Sequence, residues 1–330
     1  MIEGSAGSRP LVSVALATYN GGRYLREQLD SIYGQTCRNI EVVVCDDCSI
    51  DDTVSILEEY GDRFGLRYEV NECNLGFARN FEKVLTQCRG EFVALADQDD
   101  IWLPQKLEML LSGIKDVSLV YSDAFLVDEA GGELPGSLIG VSGVRPLSGR
   151  HFDYFVCNTC VTGCTCLFRR DLLSRALPIP SCETYHDWWL GVVASCERGV
   201  GFIDLRLVKY RQHGANETGA NIKTGIITRI IAHLRGDTDS EKRKYYELLR
   251  ARAKTYPLIR ERLSLEVAQL QFLADIGSYA ESLLEPRFRW RSFFLALRYR
   301  HVLFPAAGAL EKCVFVFSKL INKIVCKVNA

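Results

Sequence analysis

The chain has 330 residues, of which 48% are hydrophobic and 25% are charged, and its formal net charge is -1. This length accommodates one large, well-buried α/β domain plus an extension. The near-neutral charge excludes bulk electrostatic attraction to nucleic acid, and no run reaches the roughly 18 apolar residues that span a bilayer.

The cysteine content indicates the compartment. The chain carries 13 cysteines, but its first ten residues lack the basic region and apolar run of a signal peptide. We therefore expect a cytoplasmic protein with free, mostly buried thiols. The pairs Cys45/Cys48 and Cys157/Cys160 leave a structural zinc site as an alternative. It is disfavoured because Cys45 ends an apolar strand and two carboxylates separate it from Cys48.

Apolar runs and helical spacing alternate along the first part of the chain. The pattern predicts strands over residues 11–17, 40–45, 66–70, 92–96 and 117–121, with a later strand over residues 207–210. It predicts helices over residues 24–33 and 77–88, and another that Asp51 or Asp52 caps. Strands that alternate with helices of this length imply βαβ units and a parallel sheet.

Polar residues follow four of the predicted strands at the point where each strand ends. Because ligands of such sheets bind beyond the carboxyl ends of the strands, the four clusters predict one site. The clusters are Thr18-Tyr19-Asn20, Asp46-Asp47, Asn74 to Asn80, and Asp97-Gln98-Asp99-Asp100.

The acidic turn after the fourth strand predicts a metal site. Asp97, Asp99 and Asp100 lie within four residues, and carboxylates at this spacing repel one another. A divalent cation relieves that repulsion, and oxygen ligands suit Mg²⁺ or Mn²⁺ shared with phosphate groups. The alternative is a solvated turn that caps the helix starting near Pro104.

The two carboxylates after the second strand predict a contact to a nucleoside. A carboxylate in this position can accept a hydrogen bond from a ribose hydroxyl or a base N–H. A helix cap is the alternative, but Asp51 and Asp52 can serve that purpose, which leaves Asp46 or Asp47 for a ligand. The motifs GxGxxG and GxxxxGKS/T are absent, which argues against a Rossmann dehydrogenase and a P-loop NTPase.

Taken together, these motifs resemble those of glycosyltransferase family 2, whose members have the GT-A fold. The resemblance covers residues 11 to about 216 and lies, in order, in VSVALATYNGGRYLREQLDSIYGQT, EVVVCDDCSIDDT, NLGFARNFEKVL, GEFVALADQDDIWLPQKL, TGCT, HDWW and YRQHGAN. DQDDIW, HDWW and YRQHGAN look most like bacterial rhamnosyltransferase-type enzymes of surface-polysaccharide (O-antigen or capsule) assembly. The resemblance implies an α/β fold with a Rossmann-like, mostly parallel central sheet, flanking helices and a helical C-terminal extension.

The resemblance also implies roles for individual residues. Those expected to bind the nucleotide-sugar donor are Thr18, Tyr19, Asn20, Asp47, Asn74, Asn80, Asp97 and Gln98, with Asp47 on the base. Asp99, in the family's DXD motif, and His213 would bind Mn²⁺ or Mg²⁺, although an ordinary loop histidine is the alternative for His213. Asp187 matches the catalytic base. Candidate acceptor contacts are Gly163, Trp188 and Trp189.

The chemistry of an inverting transferase gives Asp187 a rationale of its own. One carboxylate must deprotonate the acceptor hydroxyl, while the metal stabilises the leaving nucleoside diphosphate. That carboxylate should stand apart from the metal cluster, as Asp187 does in the sequence. The neighbouring His186 either tunes the base or packs, with packing or support of the base favoured. Trp188 and Trp189 are either a sugar-stacking platform or core residues.

The α/β pattern stops near residue 222, which predicts a catalytic domain over residues 1–221 and a helical extension over residues 222–330. Helices are predicted over residues 241–256 and 263–274. Residues 286–330 carry nine basic residues and one acidic residue among many aromatic ones, and Lys319, Lys323 and Lys327 recur every four positions. This pattern favours a peripheral location on the anionic inner face of the cell membrane. A bundle packed on the catalytic domain is the alternative.

The sequence therefore predicts inverting, metal-dependent transfer of a sugar, with rhamnose as one candidate, from a nucleotide sugar to a glycan or lipid-linked glycan. The QxxRW motif of processive relatives is absent, which predicts release after one or a few additions. Two alternatives stay open: a sugar-nucleotide nucleotidyltransferase, which usually has a Gly-rich basic loop after its first strand, and a non-catalytic glycan-binding protein. The oligomeric state is not predicted.

Overall fold

A computed structural model describes residues 10–180, 185–214, 247–282 and 290–303 of the chain. The expected domain boundary at residue 221 lies outside these residues, as do Lys319, Lys323 and Lys327.

The described part of the catalytic region consists of strands and helices that alternate for most of its length. The strands are β1 Val12–Thr18, β2 Ile40–Asp46, β3 Arg67–Val70, β4 Phe92–Ala96, β5 Ile101–Trp102, β6 Leu119–Val127, β7 Glu133–Ser137, β8 Cys166–Arg169 and β9 Val200–Arg211. The helices are α1 Gly22–Tyr33, α2 Thr53–Phe64, α3 Phe77–Gln87, α4 Lys106–Gly113, α5 Leu138–Ser142, α6 Phe152–Cys157, α7 Leu173–Ala176 and α8 His186–Cys196.

The strands form one sheet in the order β3-β2-β1-β4-β8-β6-β9-β5, and β7 pairs with the C-terminal end of β6. The first four strands in this order pair in parallel, as the βαβ pattern predicts. Beyond β4 the sheet is mixed, because β8 runs antiparallel to both β4 and β6, while β6 and β9 are parallel. The fifth predicted strand, residues 117–121, is in fact the longer β6, and the last predicted strand is the C-terminal end of β9.

The hydrophobic pattern explains why this sheet is central. All residues of β4 are buried, as expected for a strand covered on both faces. On α1, Leu25, Leu29 and Ile32 lie on one buried face, which packs in the same cluster as β1. A second cluster on the other face of the sheet contains α3, α6 and α8.

The described C-terminal helices pack on the catalytic region. They cover residues 247–253, Tyr256–Arg262, Val267–Ser282, Trp290–Arg298 and Arg300–Leu303. Ile259, Phe272 and Ile276 belong to the same buried cluster as Phe155 and Trp188. Within residues 286–330, the described Leu295, Ala296, Val302 and Leu303 belong to this cluster too, as the packed-bundle alternative predicts for residues 290–303. No helix in the described ranges is both long and apolar enough to cross a membrane.

The described cysteines behave as the expected free thiols. No disulfide joins the ten described cysteines, and eight of them are buried. Within the described chain, His, Cys, Asp and Glu side chains come close enough to hold a metal at Asp97, Asp100 and Cys164. That group includes neither CxxC pair, which argues against the zinc alternative.

Candidate active site

An open cleft of about 840 Å³ lies beyond the carboxyl ends of β1, β2 and β4. These parallel strands end at the same edge of the sheet, so residues far apart in sequence meet there. The predicted site residues that line the cleft are Thr18, Tyr19, Asn20, Asp47, Asn74, Asn80, Asp97, Gln98, Asp99 and His213. Other lining residues had not been singled out from the sequence: Arg23, Tyr24, Phe77, Glu129 and Tyr210.

The turn after β1 is fixed to the acidic turn after β4. The Tyr19 backbone N–H donates to Gln98 Oε1 at 2.9 Å, and Gln98 Nε2 donates back to the Tyr19 carbonyl at 3.1 Å. Asn20 has a left-handed backbone (φ 47°), and its side chain accepts a hydrogen bond from the Ile50 N–H. Half of the Tyr19 side chain is exposed, which leaves its ring available to a planar ligand.

Asp46 and Asp47 are more heavily used by the protein than the sequence indicates. Asp46 is buried and accepts hydrogen bonds from the hydroxyls of Thr18 and Ser49. Asp47 accepts from the N–H groups of Leu75 and Gly76. Both carboxylates therefore accept hydrogen bonds from the protein, and the contact of Asp47 with a ligand stays a prediction. Asp47 still borders the cleft, and its bonds set the shape of the loop that follows β3.

The two predicted asparagines have different environments. Asn74 is exposed, and its side chain accepts from the Gly76 N–H at 3.0 Å. Asn80 is buried on α3 and donates to the Cys45 carbonyl at 2.8 Å. Asn80 thus contacts the end of β2 from inside the protein, whereas Asn74 faces the open side of the cleft.

The strongest candidate for a metal site is the contact between Asp99 and His213. His213 Nε2 lies 2.7 Å from Asp99 Oδ2, and the two side chains are 12% and 16% exposed. The His213 ring stacks on Tyr24 with centroids 5.2 Å apart. A carboxylate oxygen and an imidazole nitrogen that converge at the wall of a cleft fit Mn²⁺ or Mg²⁺, with phosphate oxygens and water completing the shell.

An acidic cluster extends from the cleft lining into the interior, with Asp97 half-buried and Asp100 and Cys164 buried. Asp97 Oδ, Asp100 Oδ and Cys164 Sγ lie within 4.8 Å of one another. Burial and mutual repulsion raise the pKa of Asp97 and of Asp100. Lys106 is fully buried beside them, donates to the Cys164 carbonyl at 2.6 Å and lies 3.2 Å from the centroid of the Trp102 ring.

Lys106 changes the interpretation of this cluster. Burial lowers its pKa to about 7, but the charges of Asp100 and Asp97 act in the opposite direction. Lys106 thus places one cationic group beside two carboxylates, and its charge offsets part of theirs when it is protonated. Sequence reasoning missed Lys106, although a lysine in the first turn of the helix after the acidic residues was a visible signal.

Arg211 is a second buried cation that sequence reasoning missed. Its Nε donates to the Asp99 carbonyl at 2.8 Å, and its backbone N–H donates to Asp100 Oδ1 at 3.1 Å. Its Nη2 reaches Glu27 on α1 at 2.5 Å. Arg211 therefore joins the end of β9 to the acidic turn, two residues before His213. Its place inside YRQHGAN was the available signal.

Asp187 lies at the start of α8 and is not among the residues that line the cleft. It is half-buried, and its carboxylate accepts from the Trp188 N–H at 2.6 Å and from the Gly163 N–H at 3.2 Å. Burial raises the pKa of Asp187, whereas these two N–H groups and the charge of Arg252 lower it. Its charge in turn raises the pKa of Asp97. Gly163 is buried against Asp187 and His186 and does not line the cleft.

The two tryptophans after Asp187 are core residues. Both are fully buried, and their indole N–H groups donate to the carbonyls of Phe155 and Ala176, each at 2.7 Å. The sugar-platform alternative for Trp188 and Trp189 is therefore wrong, because neither ring presents a face to the cleft.

His186 also packs in the interior. Its ring stacks on Phe81 with centroids 4.0 Å apart, and burial lowers its pKa to about 3. Neither ring nitrogen has a hydrogen-bond partner among the described residues. A neutral imidazole in this position supports the start of α8 by packing, as favoured from the sequence.

Comparisons with known proteins identify the family. The sequence profile of glycosyl transferase family 2 matches residues 13–177. An uncharacterised glycosyltransferase of Rickettsia typhi is 31% identical over 218 residues, which are 63% of this chain and 66% of that protein. TuaG of Bacillus subtilis, a putative teichuronic acid biosynthesis glycosyltransferase, is 34% identical over 117 residues, or 34% of this chain and 46% of that protein. The matched regions thus span less than two thirds of each relative.

Among solved structures, TarS 1–349 of S. aureus in complex with UDP-GlcNAc has a similar fold. The TM-score is 0.57 at 19% identity, and the superposition covers 88% of this chain and 81% of that chain. Together with the family match, this likeness confirms the predicted GT-A fold.

Proposed function

This chain belongs to glycosyl transferase family 2, and we propose that it transfers one sugar from a nucleotide sugar to a glycan or lipid-linked glycan with inversion at the anomeric carbon. The observation that carries the proposal is the separation of two acidic features. Asp99 pairs with His213 in the cleft lining, whereas Asp187 is not among the cleft-lining residues and is held at the start of α8 by the N–H groups of Trp188 and Gly163. A donor site and an isolated base are the two parts that inverting transfer requires.

Metal dependence is supported by the charge of the cleft. Its lining carries Asp47, Asp97, Asp99 and Glu129, and the lining arginine, Arg23, is ion-paired with Glu129 at 3.1 Å. A nucleoside diphosphate needs positive charge that this lining does not supply. Asp99 and His213 would hold Mn²⁺ or Mg²⁺, and such a cation would stabilise the charge of the leaving diphosphate.

In the proposed transfer step, Asp187 is the general base. The Asp187 carboxylate takes the proton of the acceptor hydroxyl as the hydroxyl oxygen forms a bond to the anomeric carbon. The bond between that carbon and the diphosphate oxygen breaks, and the nucleoside diphosphate leaves with the electron pair. Because burial raises the pKa of Asp187, its carboxylate is a stronger base than an exposed one.

Donor contacts are assigned to the residues that line the cleft. Tyr19 offers an exposed ring for the base, and Asp47 and Asn74 border the same side. Thr18, Asn20, Asn80, Asp97 and Gln98 would complete the donor site. The TarS complex contains UDP-GlcNAc, which supports a nucleotide sugar as the donor class.

The acceptor is proposed to be a bacterial surface polysaccharide or its lipid-linked precursor. The likeness to a putative teichuronic acid biosynthesis enzyme supports this class, and rhamnose stays one candidate for the transferred sugar. The basic, aromatic residues 286–330 would hold the enzyme at the cytoplasmic face of the membrane, where lipid-linked acceptors lie.

The direct test is a panel of sugar nucleotides, including dTDP-rhamnose and UDP-GlcNAc, incubated with the full chain and Mn²⁺. Release of the nucleoside diphosphate and thermal stabilisation are measured for each donor, because a bound ligand raises stability by mass action. We expect one donor to be hydrolysed slowly and its release rate to rise when a glycan acceptor is added. Formation of a sugar nucleotide from a nucleoside triphosphate would instead indicate a nucleotidyltransferase. Binding without turnover would indicate a glycan-binding protein.

A further inference from the structure

The helix over residues 247–253 brings a buried arginine into the catalytic region. Arg252 is 4% exposed, and its Nη1 donates to the Cys157 carbonyl at 2.7 Å. Cys157 is the last residue of α6, where a cation is favourable because the helix dipole places partial negative charge there. The helical extension thus contributes a charged group to the interior of the catalytic region.

The same guanidinium lies on the residue that follows the proposed base. Its carbon is 4.6 Å from the centroid of the Trp188 ring, a distance typical of a cation–π contact. Trp188 is anchored at its other end, because its indole N–H donates to the Phe155 carbonyl. Its backbone N–H donates to Asp187 Oδ1 at 2.6 Å. Arg252 therefore fixes the residue that holds the carboxylate.

Charges also act on Asp187 from several packed elements. Asp97, at the end of β4, is an anion whose charge interacts with that of Asp187. The Cys166 thiol of β8 and the neutral His186 are the other titratable neighbours. Arg252 is the cation that favours the ionised form of Asp187.

We infer that Arg252 is a positioning residue for Asp187: from the helical extension, its guanidinium packs on Trp188, whose backbone N–H holds the Asp187 carboxylate. The consequence of this inference for catalysis rests on the proposed function. The contact between Arg252 and Trp188 does not depend on that function. It makes the described extension part of the active-site architecture, in addition to any role at a membrane.

The test measures Asp187 directly in the full-length protein. Aspartate is labelled with ¹³C at the carboxyl carbon, and the Asp187 signal is identified as the one lost in Asp187→Asn. Arg252→Gln keeps a hydrogen-bond donor for the Cys157 carbonyl but removes the charge. We expect its Asp187 titration midpoint to move upward by about 0.3 to 1 pH unit, and Arg252→Lys to restore the midpoint.

Two further variants complete the design. Arg262→Gln is the matched control, because Arg262 also belongs to the extension and donates to a catalytic-region carbonyl, that of Pro178, at 2.6 Å. It should leave the midpoint unchanged. Arg252→Met is the second neutral variant if the glutamine variant does not fold. A folded neutral variant with an unchanged Asp187 midpoint would overturn the inference.

A transfer assay, with the donor selected by the panel, separates the two proposals. Arg252→Gln should lower kcat for transfer most strongly at low pH, with the KM for donor unchanged. A uniform loss at all pH values would indicate a merely structural role and would contradict the inference. Retained transfer in Asp187→Asn would show that the proposed base is wrong. The effect of Arg252 on the Asp187 titration midpoint does not depend on that outcome.

Discussion

At the scale of single residues, the cleft contains a contact that can be tested by removing one carboxylate. Asp99 and His213 converge within 2.7 Å at a wall that is otherwise acidic. Arg211 holds the backbone of Asp99 in place, so loss of the Asp99 side chain should leave the turn itself intact. Substitution of Asp99 should therefore weaken ligand binding and leave the fold unchanged.

Asp99→Ala should abolish transfer and weaken binding of the nucleoside diphosphate in Mn²⁺, because the oxygen ligand is removed. Calorimetric titration with UDP and dTDP, with and without Mn²⁺, measures this effect. Asp62→Ala, an exposed carboxylate on α2, is the control and should bind normally. Wild-type binding and turnover in Asp99→Ala would show that the DXD assignment is wrong.

Asp187→Asn should keep the fold and the donor affinity but lose transfer. The amide is nearly isosteric, yet it cannot take a proton, and removal of a general base typically costs about 10² to 10⁴ in rate. The loss should appear in kcat and not in the Kd for donor. Normal single-turnover transfer by Asp187→Asn with weakened donor binding would instead place Asp187 in the binding site, with Asp153 the next described carboxylate to test.

The pH profile of the wild-type enzyme provides a related test. The base is active only when it is ionised, so activity is lost as pH falls through the pKa of Asp187. Burial raises that pKa. The acidic limb of kcat should therefore lie above the ordinary aspartate value of about 3.9. This acidic limb should be absent from the residual activity of Asp187→Asn. A stopped assay from about pH 4 to about pH 8 measures both profiles.

At the scale of elements, the position of α8 depends on close contact with the turn before β8. A Cβ added at Gly163 would lie 3.2 Å from His186 Nε2 and 3.8 Å from the Asp187 Cβ. The imidazole is stacked on Phe81 and has little room to move. Gly163 is therefore a spacer that sets how closely the turn approaches the start of α8.

Gly163→Ala should reduce transfer while donor binding stays near normal, because the added methyl group pushes the start of α8 away. Overpacking of this kind costs about 1–3 kcal/mol, and 1.4 kcal/mol in the barrier is tenfold in rate. Gly214→Ala is the matched control at the cleft, since a Cβ there meets nothing within 4 Å. Equal kinetics for the two variants would argue against this spacing role.

At the scale of the whole molecule, the described end of the extension is part of the core. Leu295, Ala296, Val302 and Leu303 are buried, and Asn158 donates to the Val302 carbonyl at 2.7 Å. On the opposite face of the same helix, Trp290 and Phe294 are about 60% exposed. One face of this helix thus packs on the protein, while the other is exposed to the surroundings.

Deletion of residues 304–330 should reduce binding to vesicles that contain phosphatidylglycerol yet leave donor hydrolysis largely intact, because it removes basic residues of the tail. Deletion of residues 286–330 should also lower the free energy of unfolding by several kcal/mol, since each fully buried Val or Leu side chain contributes about 1.5–3 kcal/mol. Vesicle sedimentation and thermal melts measure both effects. Undiminished vesicle binding by the shorter deletion would argue against membrane contact by the tail.

The sequence by itself determined the parallel half of the sheet and the location of the cleft. Buried parallel strands must be apolar along their length, so β1, β2 and β4 were visible as runs, and the polar residues at their ends had to share one edge. The local order of these motifs was also enough to identify the family. The antiparallel direction of β8 was not visible, because hydrophobicity does not encode the direction of a neighbouring strand.

Only the tertiary structure decided which polar and aromatic residues lie inside. Lys106, Arg211 and Arg252 are ordinary charged residues in the sequence, and they become internal cations because distant segments enclose them. Trp188 and Trp189 follow the proposed base directly, but the extension and α6 bury them. Burial and charge pairing depend on contacts between segments that are far apart in the chain, and local pattern contains no record of those contacts.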